Sequence, residues 1–272
     1  MKIISNMKIR TKLTSAIVLA VILVFASVNI FLFNRFSSLQ EDASHQNAEY
    51  ISKNHGNAIK AILEIPLDAA RTLASAFSSY TNIPAEQRRI IFNAMLKKVL
   101  EDNPEFLGTY TLWEPNILDG NDARYSGTAG HDRTGRFIPY WVRSGNSIKL
   151  EPLVNYNSDD YYQLPKKTKK EAIINPYTYP VDGKPVLMTS LVVPIIDKTG
   201  KFIGIVGVDL RIDFLQKIVE KIKPYGIGVS AVFSNSGIIA AHFDATRNGK
   251  QIKDTERDMV GENISTMAEK IK

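Results

Sequence analysis

The chain has 272 residues, with 34 basic against 28 acidic side chains, a formal charge of +6 and no cysteine. Hydrophobic residues make up 44% and charged residues 23%, globular proportions that exclude a disordered or collagen-like chain. Without Cys there is no disulfide framework, no thiol nucleophile and no Cys-ligated zinc or iron–sulfur centre.

Residues 1–12 hold Lys2, Lys8, Arg10 and Lys12 and no acid. Leu13 to Phe33 then run for 21 residues without a charge, a Pro or a Gly. A helix of that length covers a hydrocarbon core of about 30 Å. The run exceeds a signal-peptide apolar region of about 7–15 residues, and no A-x-A site closes it, so a retained transmembrane helix is expected over 13–33. The positive-inside rule places residues 1–12 in the cytoplasm and everything after Arg35 outside, in a plasma (inner) membrane protein with lipid around its anchor. Outside residues 1–12 there remain 30 basic and 28 acidic side chains. The surplus charge therefore reports topology, and a nucleic-acid partner is not expected.

Residues 35–80 predict one long helix. Its first part is polar almost all round, as in a solvated stalk or a helix pairing with a second subunit. Farther along, Ile59, Ile62, Leu63, Leu67, Ala70, Leu73, Ala74 and Phe77 recur at the i, i+3, i+4 spacing of a helix lying on a core. A second helix is predicted from about Pro84 to Leu100, with Ile90, Ile91, Ala94, Met95 and Val99 inward. From Phe106 the segments become short, β-branched and aromatic: LGTYTLWE, RFIPYWVR, PVLMTSLVVPII and KFIGIVGVDL. VDGK at 181–184 and DKTGK at 197–201 mark turns. A short helix is expected from IDFLQKIVEKIKPYG, then a new hairpin around Ser236-Gly237. The fold class is α+β: a sheet of about five antiparallel strands in a first lobe over 81–222, and a second lobe begun over 223–272.

Aromatics and carboxylates concentrate in mid-chain. Tyr110, Trp113 and Glu114 lie in one segment, Tyr140 and Trp141 in another, then Asp159, Asp160, Tyr161 and Tyr162, then Tyr177 and Tyr179. Ring faces attract cations by about 0.5–2 kcal/mol each, and a carboxylate adds a charge-assisted hydrogen bond, so such a set suits an ammonium group. The same residues also suit the buried face of a sheet. Asp209 ends the apolar strand Phe202–Val208, where a buried carboxylate requires either a ligand cation or a nearby Arg, with Arg136, Arg143 and Arg211 available. The four histidines are scattered, and no H-E-x-x-H, G-x-S-x-G or phosphate-loop sequence is present. No enzyme, metal or cofactor is indicated. DGND at 119–122 reads as a turn. Lys166, Lys167, Lys169 and Lys170 read as a solvated face on a loop or short helix.

With these segments in view, the chain resembles the double-Cache sensor modules of bacterial chemoreceptors, the methyl-accepting chemotaxis proteins. The resemblance runs over nearly the whole chain, through WEPNILDGNDARY, DRTGRFIPYW, DYYQLPKKTKKEAIINPYTYPVDGK and KFIGIVGVDL. It implies PAS-like antiparallel lobes, with the membrane-distal lobe complete and the proximal one truncated at Lys272. It also implies a small-molecule ligand in the distal lobe, a homodimer through the stalk helix, and a signal carried by helix displacement. Family members that bind amino acids use an Arg and a Trp-Tyr pair on the ligand carboxylate. They hold the ammonium with a Tyr, an Asp shortly after it, and the Asp of a later G-x-D strand. Here Tyr161-Tyr162 fall on the Trp-Tyr pair, Tyr177 on the Tyr, Tyr179 on the first Asp and Asp209 on the last. Asp159 falls at or beside the Arg. Loss of that Arg implies an amine or other cationic nitrogen compound, with an amino acid or a purine as the alternatives. The expected ligand set is thus Asp209, Tyr162, Tyr177, Tyr179, Tyr161, Trp113, Trp141, Tyr140, Asp159 and Asp160. The output partner is a methyl-accepting coiled coil or, alternatively, a histidine kinase or cyclic-nucleotide enzyme. A hydrolase built on Asp122, His131 and Asp132 is the reading from another class.

Overall fold

The computed structural model describes residues 8–256. Most of the basic N-terminal flank and the last part of the expected second lobe, residues 257–272, lie outside the described residues. Helix α1 spans Ile9–Ser78 and carries Pro66 inside it. Residues up to Asn57 form one unit and Ala58 onward another. Within the first unit, helix α1 is long and apolar enough to cross a membrane, and its apolar stretch is unburied. Thr14, Ser27 and Asn29, its polar residues apart from Ser15, turn back to carbonyls of the preceding helical turn. That satisfies their hydrogen bonds within the helix, which an apolar environment demands.

In the second unit, Pro66, Leu67, Ala70, Leu73, Ala74 and Phe77 are buried, following the expected stripe from its fourth member onward. Helix α2 runs Ala85–Asp102 and buries Arg89, Phe92, Leu96 and Leu100. The expected inward face is therefore rotated: Ile90 is 71% exposed, and Ile91, Met95 and Val99 pack only at the margin. An arginine takes part in the buried stripe because acids from a distant loop neutralise it, which helical periodicity alone does not reveal.

The sheet has seven strands, two more than the sequence suggests. They are β1 (Gly108–Trp113), β2 (Pro139–Ser144), β3 (Ser147–Pro152), β4 (Ala172–Ile173), β5 (Tyr177–Val181), β6 (Lys184–Ile196) and β7 (Phe202–Arg211). The order is β3-β2-β1-β7-β6-β4, with β5 also paired to β6, and every pairing is antiparallel. The β5–β6 hairpin turns on Asp182 and Gly183, whose φ values of 50° and 71° match the primed turns that suit strand twist. Side chains alternate across the sheet, so each strand feeds two cores. One core packs α1 and α2 against Trp113, Leu191, Val206 and Val208. The other lies on the opposite face, with Tyr110, Leu112, Tyr140, Val142, Tyr179, Met188 and Ile205, beneath helix α3 (Asp160–Thr168). Residues 160–168 are thus helical and not a loop: Asp160 sits in the first turn, lysines sit in the last, and Lys169 closes it in the left-handed region at φ 54°.

Beyond the sheet, helix α4 covers only Asp213–Val219, ending before Pro224 can interrupt it. Strands β8 (Ala231–Phe233) and β9 (Ile239–His242) form the expected hairpin around Ser236-Gly237, with Gly237 at φ 78°.

Candidate functional site

Asp209 stands near the end of β7, 2% exposed. Antiparallel register sets it opposite Ser190 of β6 and Gly108 of β1. The Ser190 hydroxyl donates to its carboxylate at 2.5 Å, and the Tyr177 hydroxyl meets Ser190 Oγ at 2.7 Å. The three candidate arginines are all committed elsewhere. Arg136 binds Glu114 and Tyr162, Arg143 binds carbonyls of Leu100, Asn103 and Phe106, and Arg211 pairs with Asp213. No ion pair reaches Asp209 among the described residues. Burial pushes its carboxyl up to about 7, against the opposing effects of the Ser190 hydrogen bond and the nearby Tyr140 hydroxyl.

Five tyrosines surround this carboxylate: Tyr110, Tyr140, Tyr161, Tyr177 and Tyr179. Burial holds every one of their hydroxyls above its ordinary value, and the charge of Asp209 adds to the effect in each. The rings interlock edge to face. Tyr110 meets Tyr140 at 5.9 Å and Tyr161 at 5.8 Å, while Tyr140 meets Tyr179 at 5.6 Å. Tyr161 is stacked on Tyr177 at 6.4 Å. Two glycines make room for this. A Cβ at Gly207 would lie 2.1 Å from Tyr110 Cζ, and one at Gly108 would lie 2.4 Å from the Tyr140 ring. The rings therefore rest directly on bare backbone.

Three of the five hydroxyls have partners: Tyr177 at Ser190, Tyr161 on the Val154 carbonyl, and Tyr179 accepting from the Val154 amide. Those of Tyr110 and Tyr140 are buried outside hydrogen-bond geometry, although the Tyr110 hydroxyl is close enough to Ser190 to be influenced by it. The Tyr140 hydroxyl is close enough to favour the charge on Asp209, yet it falls outside hydrogen-bond geometry. The two broad surface grooves lie elsewhere. One runs between α1 and α2, the other among α1, β7 and α4, and none of the six side chains lines either. Of the six, Tyr177 alone is partly exposed.

Of the ten sequence-expected site residues, Asp209, Tyr140, Tyr161, Tyr177 and Tyr179 come together. Asp159, half-buried at the N-terminus of α3, bears electrostatically on Tyr161 and Tyr177 and so borders the cluster. Asp160 is exposed. Trp113 and Trp141 lie on the opposite face. Trp113 stacks on Phe92 at 5.7 Å, and Trp141 donates to Asn93 of α2. Tyr162 turns to a neighbouring polar cluster, where its hydroxyl binds Glu114 and takes a 2.6 Å hydrogen bond from Arg136, with Lys166 2.9 Å from Glu114. Burial alone would raise the Glu114 carboxyl, but Tyr162, Lys166 and Arg136 bring it below its ordinary value. Sequence reasoning left Ser190 and Tyr110 out of the set. Ser190 lies opposite Asp209 on β6 and Tyr110 opposite Gly207 on β1, placements that strand pairing decides.

The DGND turn has a structural part. Arg89, 4% exposed, grips Asp119 through two hydrogen bonds of 2.6 and 2.7 Å and Asp122 through one of 2.5 Å, with Tyr125 under the guanidinium at 4.2 Å. His131 stacks on Tyr125, and Asp132 accepts from Thr134, Tyr156 and the Arg136 amide, so the Asp122–His131–Asp132 set fastens the 119–136 loop.

A sheet with two helices on one face and a tyrosine-walled acid on the other can be set beside known proteins. The family model of the methyl-accepting chemotaxis protein-like first PDC sensor domain matches residues 92–217. The extracellular domain designated histidine kinase mmHK1S-Z3 is 35% identical, with a TM-score of 0.74, covering 83% of this chain and 79% of its own. The chain belongs to the Cache-type extracellular sensor domains. Methyl-accepting Chemotaxis protein X also shares the sensor-domain fold, at 26% identity and a TM-score of 0.64, with 85% of this chain and 84% of that one covered. The chemotaxis protein TlpQ of Pseudomonas aeruginosa is 28% identical over 192 residues, 64% of this chain. The sensor-domain chain spans only about a quarter (27%) of the length of that relative.

Proposed function

We propose that this sensor domain is the extracytoplasmic ligand module of a chemotaxis receptor, anchored by the apolar part of α1, and that it binds an amine or other cationic nitrogen compound at Asp209. The observation that carries the ligand class is a buried carboxylate inside a ring of tyrosines that no ion pair reaches among the described residues. A buried acid left unpaired is costly, and a ligand cation supplies the missing charge. The absence of a basic side chain from the cluster argues against an α-amino acid, whose carboxylate would meet only phenols and Asp209. The TlpQ and family-model matches support the chemotaxis output. The stronger identity to mmHK1S-Z3 supports a second reading, in which the same module feeds a histidine kinase. In either case the ligand favours one of two arrangements of the helix face packed on the sheet, and lipid and a second copy are the partners of α1.

The test is a thermal-shift screen of the full chain in detergent micelles against amines, amino acids, purines and organic acids. Amines raise the midpoint and Asp209→Asn removes that response. A midpoint raised by amino acids and indifferent to amines, or an amine response retained in Asp209→Asn, rejects the reading.

A further inference from the structure

The proposed cation site leaves open how many N–H groups the ligand nitrogen carries, and the geometry around Asp209 bears on that. One carboxylate oxygen of Asp209 accepts from Ser190, which leaves the other available. Tyr110 on β1 and Tyr140 on β2 are register partners on the same side of β7, and their hydroxyls are buried and outside hydrogen-bond geometry. A phenol oxygen carries acceptor lone pairs whatever its proton does. Buried polar atoms without partners are rare in folded proteins and mark a place where something else completes the set. Three acceptors thus belong to this cluster, one carboxylate oxygen and two phenol oxygens that feel its charge.

Resting on the cation-binding reading above, we infer that Tyr110 and Tyr140 are specificity-determining residues that select a primary ammonium, R–NH3+, over a quaternary one. A primary ammonium offers three N–H donors for three acceptors. A trimethylammonium offers none and leaves both buried hydroxyls unsatisfied. An aromatic cage for a quaternary ion works through ring faces. In this cluster the rings already meet one another edge to face, Tyr110 with Tyr140 and Tyr161 and Tyr140 with Tyr179, which leaves less ring face for a quaternary ion. The glycines beneath Tyr110 and Tyr140 fit this placement, because they let the hydroxyl ends of both rings approach the backbone near Asp209, Gly108 being its register partner and Gly207 two residues before it.

The experiment is isothermal titration of the full chain in micelles with linear primary mono- and diamines of three to six carbons, each against its N,N,N-trimethylated counterpart. The wild type is expected to bind primary amines about tenfold or more tightly than their trimethylated forms. Tyr110→Phe and Tyr140→Phe, each checked for native circular dichroism, each lose about tenfold for primary amines while the trimethylated forms change little. If one variant fails to fold, the other and the ligand pairs on wild type still decide. Equal affinity for both ligand classes, with binding lost in Asp209→Asn, overturns the selection and leaves the cation site standing. Failure of every amine to bind, or amine binding unaffected by Asp209→Asn, overturns both.

Discussion

Two carboxylates on the same side of the sheet, Glu114 and Asp209, each sit among tyrosine hydroxyls and have opposite fates. Glu114 has Arg136 and Lys166 beside it, and its carboxyl is held below the ordinary range although burial opposes this. Asp209 has a serine and five phenols, no cation among the described residues, and a carboxyl raised to about 7. Arg89 with Asp119 and Asp122 repeats the first pattern on the helix side. The difference separates acids that build the protein from the acid proposed to take a ligand cation. Tyrosine contact is common to both, although Glu114 is half-buried and Asp209 fully so; the presence of a protein cation distinguishes them.

The largest effect that would sharpen this contrast comes from the satisfied side. Arg89→Ala leaves Asp119 and Asp122 without their buried partner and is expected to cost about 3–5 kcal/mol in urea unfolding. A cost under about 1 kcal/mol would mean the network is no more than a surface pair.

Asp209→Asn is expected to act with the opposite sign. The Asp209 carboxyl titrates near 7 when folded and near its ordinary 3.8 when unfolded, so between those values the folded state holds more protons. Its contribution to stability is complete below about pH 4 and is lost as pH rises through 7, with a slope of at most about 1.4 kcal/mol per pH unit. The neutral Asn variant escapes that loss, so its advantage over wild type grows from pH 4 to 7 in ligand-free thermal melts. A gap that stays flat or narrows with pH would place a cation at Asp209 and erase the comparison.

The smallest expected effect tests the two faces. Trp141→Phe removes the hydrogen bond to Asn93 and is expected to cost about 1 kcal/mol of stability while changing amine affinity by less than about twofold. A large loss of affinity would put the helix face of the sheet into the binding site.

Much of the architecture was legible from residues alone. The charge-free run Leu13–Phe33, the stripe Leu67 to Phe77, the Asp182-Gly183 and Ser236-Gly237 turns and the α+β class all follow from local periodicity and turn chemistry. The basic surplus at the N-terminus, the burial of Asp209 and the tyrosine content of its surroundings were likewise written in the sequence, as were the motifs linking the chain to the Cache-type sensors. Local chemistry cannot say which side of a strand faces which core. Tyr140 and Trp141 are adjacent, yet a period of two sends one to the acid and the other to the helices. Nor can it say which acid meets an arginine, since Arg89 lies some thirty residues from its carboxylates and Arg136 lies 22 from Glu114. Strand pairing set Ser190, Gly207 and Tyr110 around Asp209, and loop packing drew every candidate arginine away from it. Tertiary structure alone decided that this carboxylate stays unpaired, because charge neutralisation in a low-dielectric interior depends on contacts that sequence distance does not encode.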